Sequence, residues 1–257
     1  MRGWIAWIVL SLSISLSAWA SPPLLWNQPA VQDNCPIAQH AVWVNYAGGD
    51  ACIRYFSAGN LQSAANVLVV LPGDRDAVMR RDPAEIPENT QEAQDLRAQK
   101  LSEKARLPVI ILARPGTYGS SGNHANRRQP GEFLAIDAAL TRLREQYGIE
   151  KFVLSGHSGG ATAVAAVLTF GRRDVSCAIL TSGAYGLLER AERLRVTRGE
   201  RSQSNRDITG LANPYDPLDH IANITADPKR HIFVIGNLQD HVTPFDLQVK
   251  FATALRV

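Results

Sequence analysis

The stretch KFVLSGHSGGATAVAAVLTF, residues 151–170, decides the fold. An apolar, strand-like run leads into the motif GHSGG, and small helix-forming residues follow it. A serine on so tight a strand-to-helix turn adopts strained backbone angles, and a Cβ atom at either flanking position would collide with the turn. Gly156 and Gly160 meet that requirement. The pattern predicts that the Ser158 hydroxyl stands above a sheet and that the Gly159 N–H lies at the positive end of a helix.

Outside this stretch, short apolar runs alternate with segments whose apolar residues recur at helical spacing. Wholly apolar strands are typical of a parallel sheet that helices cover on both faces. Two early runs flank a Gly-Gly-Asp turn and predict an antiparallel hairpin. The sequence therefore predicts the α/β fold class, with a mostly parallel sheet flanked by helices. The hairpin runs are 41–46 and 51–56, the apolar runs are 67–71, 109–113, 152–154, 177–180 and 232–235, and the helical segments are 90–105, 131–147, 160–170 and 244–255.

The motif in this setting resembles the nucleophile turn of the α/β-hydrolase fold, and the likeness runs from about residue 41 to the last residue. The sequence PGD at 72–74, directly after an apolar run, is similar to the oxyanion loop of that family. The run 232–236 leading to Asp240 is similar to the loop that carries the catalytic acid. Residues 213–221 resemble the equivalent stretch in prolyl-oligopeptidase-like or dienelactone-hydrolase-like members.

This resemblance implies a serine hydrolase whose site residues can be named. Ser158 would attack a carbonyl carbon, and Asp240 would orient the catalytic histidine. Backbone N–H groups of Gly159 and of the chain near Asp74 would bind the oxyanion. Water would then hydrolyse the acyl-enzyme. The motifs imply no metal and no cofactor.

The catalytic histidine is the part of the pattern that the sequence does not supply. In this fold it follows the acid, on a loop after one further strand. After Asp240 the only histidine is its neighbour His241. Adjacent residues on an extended loop tend to point apart, so His241 is a weak candidate for the base. Two interpretations stay open: the sequence ends before the last strand and its histidine, or the protein is a catalytically inactive relative that binds a ligand.

An Arg/Glu-rich insertion at about 187–212 is predicted to form a small helical cap between two strands. Its arginines either select an anionic substrate or belong to a solvated helix face with i, i+3 or i+4 ion pairs. Asp216 and Asp219, just beyond the insertion, are expected to cap a turn or a helix. A single compact domain with a small cap favours an ester over a peptide bond. The arginines in question are Arg190, Arg193, Arg195, Arg198, Arg201 and Arg206.

The N-terminus has the features of a secretory leader. Arg2 precedes an apolar run at 4–19 that closes with the small-x-small sequence AWA, which predicts a signal peptide at residues 1–20. An uncleaved anchor is the alternative, although the run is shorter than the roughly 20 residues that a membrane span needs. Residues 21–257 would then form one domain, secreted or periplasmic, with no membrane attachment after cleavage.

Composition limits the remaining function classes. The 257 residues carry a formal net charge of +3, with 45% apolar and 20% charged residues. These values fit a globular chain, and the net charge is far below that typical of nucleic-acid binding. The substrate implied by the resemblance is a small molecule or a peptide. The three cysteines have no paired spacing of the kind found in structural zinc sites. Cys35 and Cys52 flank a candidate strand and, in an exported protein, are expected to form a disulfide.

Overall fold

The computed structural model describes residues 22–78 and 80–255, so the signal peptide predicted for residues 1–20 lies outside the described residues. Within them, seven strands form one sheet in the spatial order β1-β2-β4-β3-β5-β6-β7. No described helix is long and apolar enough to cross a membrane. The strands are β1 (Ala41–Tyr46), β2 (Gly49–Ala58), β3 (Asn66–Leu71), β4 (Val109–Leu112), β5 (Lys151–His157), β6 (Val175–Thr181) and β7 (His231–Ile235). The α-helices are α1 (Gln91–Ala105), α2 (Pro130–Tyr147), α3 (Gly159–Thr169), α4 (Leu187–Arg198) and α5 (Phe245–Ala254).

The sheet is antiparallel at one end and parallel elsewhere. β1 pairs antiparallel with β2, and β2 pairs antiparallel with β4. All pairings among β4, β3, β5, β6 and β7 are parallel. The hairpin and the mostly parallel sheet predicted from the sequence are therefore confirmed. In the described part of the chain β7 is an edge strand with no strand beyond it, and its Phe233 and Ile235 are 52% and 53% exposed.

Helices cover both faces of β4, which is why this central strand is apolar along its whole length. In β4, Ile110 and Leu112 pack into the core shared with α2 and α3, while Val109 and Ile111 pack into the core shared with α1. Every residue of α3 is buried, because this helix lies against the sheet, α2 and the 3-10 turn Pro217–Asn223. Its small side chains allow that close approach. The start of α3 is consequently held firmly at the carboxyl edge of the sheet.

Strand β5 is longer than its apolar run. Only residues 152–154 are wholly apolar, yet Ser155 and Gly156 still pair with Val70 and Leu71 of β3. The strand therefore continues up to His157, the residue before the turn. The ladder rather than side-chain hydrophobicity sets the end of this strand, and it brings the turn to the edge of the sheet.

The cap begins with α4 and continues without regular structure to Asp216. The Asp216 carboxylate accepts a hydrogen bond from the N–H of Leu187, the first residue of α4, and one of 3.1 Å from the N–H of Leu218. Asp216 thereby caps the 3-10 turn, as predicted, and also fastens the start of the cap to the chain that follows it. The Asp216 side chain therefore links the first residue of the cap to the chain that follows the cap.

The segment before β1 is tied to the sheet by a disulfide. Cys35 and Cys52 are bonded, with their Cα atoms 5.6 Å apart, which confirms the pairing expected from the sequence. Cys177 is a free thiol of intermediate burial. The crosslink joins the N-terminal segment to β2 and closes a loop across β1.

Candidate active site

Ser158 lies on the turn between β5 and α3 with φ 53° and ψ −122°. A positive φ is strained for a residue with a side chain, and strain of this kind persists only where the surroundings impose it. A Cβ atom at Gly156 would lie 2.5 Å from the carbonyl carbon of Gly160, and one at Gly160 would lie 2.6 Å from the carbonyl oxygen of Pro72. Both distances are far below van der Waals contact. The strand, sharp turn and helix predicted from the sequence are thus present, and both glycines are needed for them.

The Ser158 side chain is available for chemistry. Its backbone is fixed, since its N–H donates to the carbonyl of Thr181 at 2.9 Å and its carbonyl accepts from the N–H of Ala161 at 2.9 Å. The residue is partly exposed, and its hydroxyl forms no hydrogen bond with a described residue. The N–H of Gly159 follows at the first position of α3, where the helix dipole favours negative charge. A carbonyl attacked by Ser158 would have its oxygen close to this donor.

The loop after β3 packs directly against the turn. A Cβ atom at Gly73 would lie 3.1 Å from the His157 carbonyl oxygen and 3.4 Å from the Ser158 Cβ. A Cβ atom at Gly159 would lie 2.5 Å from the carboxyl carbon of Asp74. The loop expected to supply the second oxyanion donor is therefore adjacent to Ser158. The role of an N–H near Asp74 stays a prediction.

The Asp74 carboxylate is the centre of a buried ion cluster that the sequence analysis missed. Arg114 Nη1 lies 2.8 Å from Oδ1, Arg127 Nε lies 3.4 Å from Oδ2, and Arg128 Nη2 is hydrogen-bonded to Oδ2. Burial alone would raise the pKa of Asp74, but the charges of Arg128, Arg114 and Arg127 outweigh it and hold that pKa well below the usual range. The carboxylate is thus ionised and fixed beside Gly159.

Asp240 lies in the loop after β7, the second strand over from β5. Its Oδ1 accepts from the N–H groups of Val242 at 2.9 Å and Thr243 at 2.8 Å, and its Oδ2 accepts from the Thr243 hydroxyl at 2.5 Å. Partial burial raises the pKa of Asp240, but hydrogen bonds from Thr243, Val242 and Ser182 outweigh it and leave the pKa lowered. Asp240 is therefore a rigidly held, ionised carboxylate at the same edge of the sheet as Ser158. Its role as the triad acid stays a prediction.

The histidines show no contact that identifies a base. All six lie in the described part of the chain, and none of them hydrogen-bonds there to Ser158 or Asp240. His241 is exposed, and the exposed His157 ring places Nδ1 3.1 Å from the hydroxyl of Thr181. Burial, followed by the charge of Arg114, lowers the pKa of His124 to about 3. The candidacy of His241 stays a prediction. The described residues also contain no group of three or more His, Cys, Asp or Glu that could hold a metal.

The four cap arginines that lie in α4 divide into two groups. Arg193 and Arg198 are exposed and pair with neighbouring carboxylates, as a solvated helix face would. Arg190 and Arg195 are only 3% and 6% exposed and so do not lie on a solvated face, although Arg195 keeps an i, i+3 ion pair of 3.6 Å with Glu192. The signal was present in the sequence, because Arg190 and Arg195 fall on the same helical face as the apolar residues Leu187 and Ala191.

No protein-family model matches this chain, and no curated protein matches its sequence. Solved structures do match it. The esterase Pf2001 of Pyrococcus furiosus superposes with a TM-score of 0.59 at 14% identity, covering 90% of this chain and 84% of that one. Est1E of Butyrivibrio proteoclasticus gives 0.53 at 13% identity, covering 84% of each chain. The acylaminoacyl peptidase of Pyrococcus horikoshii gives 0.54 at 16% identity; the match covers 84% of this chain but only 34% of the peptidase. All three are α/β hydrolases, and at these identities the likeness establishes the fold: the chain has the α/β-hydrolase fold.

Proposed function

We propose that the protein is a serine hydrolase with Ser158 as its nucleophile. The observation that carries the proposal is the strained turn, which presents an unbonded hydroxyl beside the Gly159 N–H. The Ser158 oxygen would bond to the substrate carbonyl carbon, and the resulting oxyanion would accept hydrogen bonds from the N–H of Gly159 and from an N–H of the Asp74 loop. The leaving group would depart with a proton, and water would release the acid from the acyl-enzyme.

Asp240 would act on the base rather than on the substrate. A carboxylate with a lowered pKa stays ionised at neutral pH, so it can orient an imidazole and stabilise the imidazolium that forms during attack. The base would be a histidine, and none of the six described histidines hydrogen-bonds to Ser158 or Asp240. His241, the candidate within this sequence, would have to turn away from solvent to reach Ser158.

The proposed bond is an ester rather than a peptide. The match covers 84% of the esterases Pf2001 and Est1E but 34% of the acylaminoacyl peptidase. The described fold thus corresponds to most of each esterase but to only about a third of the peptidase. The protein is proposed to be exported, since the Cys35–Cys52 disulfide fits an oxidising compartment.

A fluorophosphonate probe, which modifies activated serines, tests this proposal on the folded protein. We expect covalent labelling of wild type and of Ser204→Ala, which removes an exposed serine of the cap, and none of Ser158→Ala. Mass spectrometry of the labelled peptide identifies the site. Absence of labelling in folded wild type would overturn the proposal.

A binding protein that keeps the fold without the chemistry is the second candidate. The observation that favours it is the lack of any contact between a described histidine and Ser158 or Asp240. Removal of one principal member of a serine triad costs on the order of 10⁶-fold in kcat. Labelling of Ser158 together with turnover of a nitrophenyl ester would exclude this candidate.

A further inference from the structure

Four arginines are buried around the turn that carries Ser158, and one of them differs from the rest. Arg114, Arg127 and Arg128 each have a carboxylate oxygen within 4.0 Å. Arg190 is 3% exposed and has no such partner among the described residues. A buried cation without a counterion is costly, and proteins usually keep one only where something else neutralises it.

Contacts place Arg190 between the two loops of the site. Its Nε donates to the carbonyl oxygen of Val242 at 2.7 Å, two residues after Asp240. On its other side the charges of Arg128, Asp74 and Asp207 act on it, although neither carboxylate is within ion-pair distance, and Asp74 packs against Gly159. Arg190 therefore connects the cap to the acid loop and faces the ion cluster beside the oxyanion loop.

The arginine nitrogens that bond to no described residue are arranged to bind an anion. Because Nε of Arg190 is occupied, the two terminal nitrogens Nη1 and Nη2 remain as an end-on fork, the arrangement that binds both oxygens of a carboxylate. Arg128 adds one buried nitrogen, Nε, that has no hydrogen-bond partner, while its Nη1 lies 3.7 Å from Oδ2 of Asp207. Burial, followed by the charge of Arg128, lowers the pKa of Arg190 to about 10, so its guanidinium remains charged at neutral pH.

We propose that Arg190, assisted by the unused Nε of Arg128, binds a carboxylate of the substrate, so that the bond cleaved belongs to a half-ester carrying one free carboxylate. A monoanion fits better than a dianion such as phosphate, because Arg128 is already paired with Asp74 and Asp207 and only Arg190 has no carboxylate within ion-pair distance. The identification of this anion as part of a substrate rests on the proposed function of Ser158. The binding of an anion does not depend on that function, because it is inferred from the contacts of Arg190.

Equilibrium binding tests the proposal without turnover. The Ser158→Ala protein is titrated by calorimetry with monomethyl glutarate, with its uncharged isostere dimethyl glutarate, and with inorganic phosphate. We expect the half-ester to bind at least tenfold more tightly than the diester. In Arg190→Gln that preference should fall to within twofold, while the matched control Arg198→Gln, on the exposed face of the same helix, should retain it.

A purely structural role for Arg190 predicts a different result. If Arg190 served only to hold the Val242 carbonyl, Arg190→Gln would lower the melting temperature and weaken both ligands equally. Arg190→Lys is the control for misfolding, since lysine keeps the charge and a donor but lacks the two-nitrogen fork. Its melting temperature should equal that of the wild type, while its preference for the half-ester over the diester should be at least fivefold smaller. Three results would overturn the proposal. The wild type could bind half-ester and diester equally, it could bind phosphate more tightly than the half-ester, or both variants could keep the full preference for the half-ester. Failure of probe labelling at Ser158 would instead remove the proposed function and leave the anion site standing.

Discussion

Replacing Gly159 with alanine should force the Asp74 carboxylate away from its arginines. The new Cβ would lie 2.5 Å from the Asp74 carboxyl carbon and 2.9 Å from Arg114 Nη1, where ordinary contacts begin near 3.4 Å. A flexible side chain could move at little cost, but Asp74 is bound by Arg114, Arg127 and Arg128. The backbone of α3 cannot yield either, because the helix is buried along its whole length.

The expected magnitude follows from the ion pairs that are lost. Breaking a buried pair by removing one partner costs about 3–5 kcal/mol, since it leaves an uncompensated charge. We expect Gly159→Ala and Asp74→Ala each to lower the free energy of unfolding by that amount. Both changes remove the same contacts, so the double variant should also lose about 3–5 kcal/mol rather than twice as much. Without the Asp74 carboxylate, the end of the Arg114 side chain can move away from the new Cβ. Alanine at position 159 then adds the roughly 0.5–1 kcal/mol by which alanine stabilises a helix more than glycine does.

Urea unfolding of the wild type, both single variants and the double variant measures this coupling. Urea is preferable to guanidinium chloride, which is a salt and screens the charges in question. A coupling free energy of about 3 kcal/mol supports the arrangement. Additivity within about 0.5 kcal/mol, the usual result for independent sites, would refute the placement of Asp74 against Gly159.

Three further predictions concern the disulfide, the cap and the acid. Loss of the crosslink in Cys35→Ala/Cys52→Ala should cost about 3 kcal/mol and lower the melting temperature by about 6–12 °C, measured by calorimetry; an unchanged melting temperature would contradict this. Burial raises the pKa of Asp216 to about 6. Because the unfolded value is about 3.9, the folded state binds more protons between pH 4 and 6, and stability should fall as the pH rises through that window. Asp216→Asn should abolish this slope in urea melts, and a slope that persists would show that another group causes it. Asp240→Asn should lower kcat for a nitrophenyl ester by about 10⁴-fold, whereas Asp219→Asn should leave it within threefold; equal effects would remove Asp240 from the triad.

Much of the fold was predictable because it depends on local patterns. Each strand and helix expected from apolar spacing is present, with ends that differ from the expected ones by at most three residues. The ends shifted where ladder pairing overrode side-chain character, as at Ser155 and Gly156 of β5. The turn at Ser158 was predictable for the same reason, since both flanking glycines are close to it in sequence.

The electrostatic part of the site was not predictable because its partners are far apart in sequence. Asp74 meets Arg114 and Arg128 across 40 and 54 residues, and nothing local to any of them indicates the pairing. Arg190 is a different case. The sequence places Arg190 on the apolar face of a short helix, but only the packing of the cap distinguishes it from the other charged residues there by showing that it is buried.

A crystal structure of the protein after reaction with a nitrophenyl phosphonate, which loses nitrophenolate as its phosphorus bonds to the serine oxygen, tests the central claim most directly, because the tetrahedral adduct resembles the oxyanion intermediate. We predict a bond from phosphorus to the Ser158 oxygen, with one phosphoryl oxygen within hydrogen-bonding distance of the Gly159 N–H and of an N–H in the loop at Asp74. An adduct on any other residue, or a phosphoryl oxygen that faces away from Gly159, would contradict the assignment.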